Sequence, residues 1–168
     1  MKKYLLLLLA TGLIIAGCKD TKKQAIEFNN KLSGISDSLY SRGKAAGMVI
    51  NEAITNKDFA PVGIAGKKLE AFVREKIEAV KGMDNVAGSE NLKAAMLDFL
   101  EYEIKVSKEA FGPFGELKAE STEEEVQAAI TNLMDKSKDE TTFMVKLKTA
   151  QSEFAKRNKF EIAKEKSE

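Results

Sequence analysis

The 168-residue chain has no histidine and no tryptophan, a single cysteine and two prolines. Without histidine it lacks the usual general base near neutral pH and the commonest transition-metal ligand. Ser-His and Cys-His nucleophiles are therefore excluded, as are di-iron sites built on Glu-x-x-His elements. Carboxylate-only catalysis needs two acids converging in a cleft. The acids here are spread at the frequency of helix surfaces, so the sequence predicts no enzyme, no cofactor and no metal site. One cysteine cannot close an intramolecular disulfide, which leaves stability to core packing. A net basic stripe is also missing: lysines and glutamates alternate, and the formal net charge is only +1. Counterion release then has no source, and no nucleic-acid partner is expected.

What the chain does have begins at its first residues. Lys2 and Lys3 precede an apolar run from Tyr4 to Ile15, too short to span a bilayer as a mature helix, and the run ends in Ala16-Gly17-Cys18. This arrangement resembles the lipobox signal of bacterial lipoproteins. The resemblance implies that diacylglycerol is attached to the Cys18 sulfur and that the chain is cut just before it. Two or three acyl chains would anchor the product far more firmly than the single chain that gives marginal binding. Residues 1–17 are then a removed signal peptide, 18–23 the lipidated cysteine with a short tether, 24–158 a helical domain and 159–168 a charged tail. Losing Lys2 and Lys3 leaves 25 basic residues against 26 acidic ones. In lipoproteins of the enterobacterial type an aspartate after the cysteine marks inner-membrane retention. Lys19 stands there instead, which by that resemblance points to the outer membrane, with periplasmic or outward orientation open.

Beyond the signal, glycine and proline fall mostly between long stretches rich in Ala, Glu, Lys and Leu, the pattern of helices separated by breakers. The spacing predicts a helix from about Thr21 to Lys57, with Ala25, Phe28, Leu32, Ile35, Leu39, Ala46, Val49 and Ala53 on one face. A second is expected from Gly63 to Lys81, stopped by Gly82, with Leu69, Phe72, Val73, Ile77 and Val80 inward. A third starts after Ser89 as cap and runs to Phe111, where Gly112-Pro113 stops it. The fourth opens on a capping box, Ser121 with the acid three residues on, and carries Val126, Ile130, Leu133, Met144, Leu147 and Phe154, with Ser137 and Gln151 on the same seam and a break considered near Lys138-Asp139. Four such stripes can share one core. The expected fold class is all-α, an up-down-up-down four-helix bundle after the signal peptide.

Several constellations compete with a plain bundle. Arg42 and Glu103 interrupt apolar seams, and their long stems favour snorkelling heads or a structural pair over a ligand site. Gly43 and Gly47 have GxxxG spacing in a polar context, which points to close soluble helix packing. The turns are unusually apolar: Phe59, Val62, Ile64, Phe111, Phe114 and Leu117 gather at the end opposite the lipid. They form either an exposed patch for an envelope protein partner or an inward plug of the bundle, and the plug is the favoured reading. The signal followed by a small helical remainder resembles the surface lipoproteins of bacterial envelopes, a resemblance that brings no catalytic residue. The sequence is read as a non-enzymatic, lipid-anchored interaction module with its membrane contact through Cys18. The alternatives are a bundle enclosing a small apolar ligand and a carboxylate enzyme.

Overall fold

A computed structural model describes residues 14–162, with side chains from residue 21 onward. The described chain is all-helical. Its elements are α1 (Ile14–Asn56), α2 (Ala60–Lys81), α3 (Glu90–Val106), a π-helical turn (Ser107–Phe111), the short α4 (Gly112–Glu116) and α5 (Glu123–Arg157). No strand occurs among the described residues. Of the expected signal peptide, residues 1–17, the first thirteen lie outside the described residues and 14–17 open α1. Residues 18–23, expected as a tether ahead of the first helix, are instead part of α1. None of the helices is long and apolar enough to cross a membrane, among the described residues.

The apolar stripes are the buried faces. Ala25, Phe28, Leu32, Leu39, Ala46, Ile50 and Ala53 of α1 are in the core with Leu69, Val73, Ile77 and Val80 of α2 and Leu92, Met96, Phe99, Leu100 and Val106 of α3. The α5 stripe is shallower: Leu147 and Phe154 are buried, while Val126, Ile130, Leu133 and Met144 only lean on the core. α3 packs on α2 and α5, and α2 on α1 and on the π-turn with α4, while α1 touches α5 more sparingly. Where α1 and α5 do meet, Phe28 and Phe154 have ring centroids 5.8 Å apart, and the Gln151 amide donates to Asn29 and Ser33 at 2.9 Å each.

Boundaries differ from the sequence reading for local reasons. Lys57 takes a left-handed conformation, φ 53°, and ends α1. α2 starts at Ala60, three residues early, because Pro61 falls in the first turn, where its missing N–H has no helical partner to lose. Pro113 has the same place in α4, so Gly112-Pro113 opens a helix where a stop was expected. Ser89 does not cap α3: its hydroxyl accepts the Val86 N–H at 3.0 Å and closes the preceding turn. The capping box of α5 is Thr122 with Glu125, one residue beyond the expected pair, at 3.2 and 2.8 Å. α5 then runs unbroken past Lys138 and Asp139. After it, Phe160 turns back edge-on to Phe154 at 5.9 Å, so the start of the expected tail is packed.

Candidate functional site

α3 and α5 are joined by a polar and aromatic seam. Tyr102 stacks on Phe143, centroids 4.4 Å apart and planes 19° from parallel, and its hydroxyl donates to the Lys136 carbonyl at 2.9 Å. Burial raises the Tyr102 hydroxyl above its ordinary range, and the negative charges of Asp139, Glu140, Glu103 and Glu109 add to the effect. One residue on, Glu103 is only 5 % exposed. On α5 the residue three before Phe143 is Glu140, which helical spacing puts on the same face. The Glu140 carboxyl comes near enough to Glu103 for each to act on the other's proton affinity.

Electrostatics follow from that approach. Burial first, then the Glu140 charge and the shared hydrogen bond, push Glu103 up to about 8. Burial also raises Glu140, while the hydrogen bond from Glu103 opposes the rise. Two carboxyls brought together in a buried place cannot both ionise cheaply, which favours the protonated form of Glu103. Glu103 Oε1 has no hydrogen-bond partner, and neither has the hydroxyl of Ser107, one turn later in the π-turn and only 4 % exposed. A π-turn inside a helix is a frequent mark of functional sites.

Arg42 does not neutralise Glu103. Its guanidinium lies over the Phe72 ring, 4.1 Å from the centroid, with the Lys76 ammonium at 5.1 Å from the same ring. Arg42 therefore snorkels as its stem permits, whereas Glu103 stays buried. Lys136, a cation on α5, is held by Glu109 at 2.6 Å. Among the described residues no group of three potential metal ligands comes together.

The surroundings limit what this pair can do chemically. An open groove of about 520 Å³ runs between α3 and α5, lined by Asp98, Glu101, Tyr102, Lys105, Asp139, Thr142 and Phe143. A second, of about 450 Å³ between α2 and α3, is lined by Arg74, Ile77, Glu78, Lys81, Glu101 and Ile104. Neither is lined by Glu103 or Glu140. Acid-base work on a substrate requires the acids in the cleft, and these two grooves do not present them.

The residues singled out from the sequence are distributed unequally. Phe59, Val62, Phe111 and Phe114 are buried core members, Leu117 is half-buried, and only Ile64 is exposed, at 55 %. Of those six positions Ile64 is thus the one that an exposed patch could use. Cys18 lies in α1 among residues whose side chains are outside the described set. Gly43 and Gly47, expected at a close helix contact, have open space where a Cβ would stand. The residue that sequence reasoning missed is Glu140, although it lies three after Ser137 and four before Met144, on the seam already traced. Compared with known proteins, the chain matches no family model, no curated protein and no solved structure.

Proposed function

We propose that the chain is a lipid-anchored, non-enzymatic interaction module of the bacterial envelope, held in the outer membrane by acyl chains on Cys18. The observation that carries this reading is the lipobox-like Ile14-Ile15-Ala16-Gly17-Cys18, which α1 continues without a linker. A domain attached in this way stands close to the lipid surface. The four long helices are proposed to run up-down-up-down. Supporting pairs reverse along the chain: Glu103 with Glu140 and Glu109 with Lys136 for α3 and α5, Gly63 with Gly115 and Lys93 with Lys81 at opposite ends of α2.

Interaction rather than ligand enclosure is favoured by where apolar surface is left. Tyr40 and Met48 stand out from α1 at 73 % and 56 % exposure, and Gly43 and Gly47 beside them face open space. The two grooves are open and rimmed by charge, so they give an apolar ligand no enclosed site. Metabolic labelling with a fatty acid tests the anchor. Cys18→Ser is expected to abolish labelling and release or stall the precursor, and a variant labelled and membrane-bound like the wild type would remove Cys18 from this role. Crosslinking in native membranes from a photoreactive group at position 40 or 48 tests the surface, with a discrete adduct expected in place of a diffuse background.

A further inference from the structure

The pair buried between α3 and α5 points beyond anchoring. We propose that Glu103 and Glu140 form a one-proton latch that holds α5 on α3 while the proton is shared and loosens their contact when the proton passes to a more alkaline medium. The geometry supplies the argument. Glu103 is almost fully buried on the α3 face that meets α5, one of its oxygens has no partner, and the group from α5 that acts on it is a second carboxyl; two carboxyls can share a hydrogen bond only if one of them is protonated.

No ion pair replaces the proton among the described residues. On α5, Lys136 is held by Glu109 of the π-turn, and Asp139 adds negative charge. On α3 itself, Glu101 and Lys105 are exposed. On α2, Glu70 holds Arg74 and faces Lys108, while Lys76 holds Glu75. On α1, Arg42 is stacked on Phe72. Loss of the proton therefore leaves two carboxylates opposed, and the cheapest response is for α5 to move out and hydrate them. α5 is suited to this, since most of its apolar stripe is only half-buried.

The direction with pH follows from proton uptake. The folded chain binds this proton more tightly than the unfolded chain, where the carboxyl has its ordinary range. Stability is greatest below that range and falls as pH rises toward about 8, beyond which it levels.

The test uses the full chain as wild type, Glu103→Gln, Glu140→Gln and Asp139→Asn. Chemical denaturation at pH 5, 7 and 9 should show the wild-type unfolding constant rising on the order of a hundredfold across the series. Hydrogen exchange of α5 amides around residues 136–147, corrected for intrinsic rates, should accelerate in parallel. Glu103→Gln keeps the shape and a donor without the titration, so it should flatten both dependences, as should Glu140→Gln, whereas Asp139→Asn should keep them. Carbon-13 titration of the wild-type glutamate carboxyls decides the matter even if a variant fails to fold: one of them should titrate well above the ordinary range. All glutamates titrating in that range, a wild-type change below about threefold, or a dependence retained in Glu103→Gln would each overturn the latch.

Discussion

Two sets of helical glycines serve opposite ends in this molecule. In α2, a Cβ on Gly66 would stand 2.6 Å from the Cβ of Phe111, and Gly63 and Gly115 approach so closely that a Cβ on Gly115 would lie 2.7 Å from the Gly63 Cα. In α1, Gly34, Gly43 and Gly47 would meet nothing within 4 Å. The first set lets α2 lie directly on the π-turn and α4, and so brings Phe59, Val62, Phe111 and Phe114 into one core. The second set only weakens a long helix, because glycine interrupts helical propensity without any gain in packing. Identical residues thus lower stability in one helix and supply it in the other. What separates them is the neighbour, which no local spacing encodes.

The largest expected effect is at the packed end. Phe114 is fully buried, and Phe114→Ala should cost about 3–5 kcal/mol in chemical denaturation. A loss near zero would return these aromatics to the surface and abolish the contrast between the two ends. Gly66→Ala comes next, because the added methyl must displace Phe111, part of the backbone-close packing; a loss of about 1–3 kcal/mol is expected from the same measurement. The reverse sign is expected in α1. Gly43→Ala should raise stability by about 0.5–1 kcal/mol through helix propensity alone, and a fall would mean that the open face is covered in solution. Smallest is Ile64→Ser, which should change folding by less than about 0.5 kcal/mol because the side chain is already in water. If that variant nevertheless loses crosslinked partners, Ile64 belongs to a partner surface despite its buried neighbours.

Much of the helical layout was legible because a period of three and four residues is a one-dimensional signal. Leu69, Val73, Ile77 and Val80 could be assigned inward from spacing, and they are. The α1 stripe was equally plain, even across Arg42. The seam between α3 and α5 was half legible. Glu103 visibly interrupts its stripe, but spacing alone allows a snorkelling head or a structural pair with Arg42 and does not point to another acid. Glu140 was passed over because an acid on a lysine-rich helix reads as solvated surface. Ends were least legible: proline reads as a breaker in sequence, yet Pro61 and Pro113 both sit in first turns, where a lost N–H costs nothing.

By itself the sequence determined that this protein is helical, which faces of the helices are apolar and that histidine chemistry is absent. Those follow from residue identity and from side-chain direction about each helix's own axis. Tertiary structure alone decided that Glu103 meets another acid, that Gly66 is pressed against Phe111 while Gly43 is not, and that the apolar turns fold inward. Helical period fixes the direction in which a side chain points but leaves open what stands there, and burial, proton affinity and the cost of a methyl group all depend on what stands there.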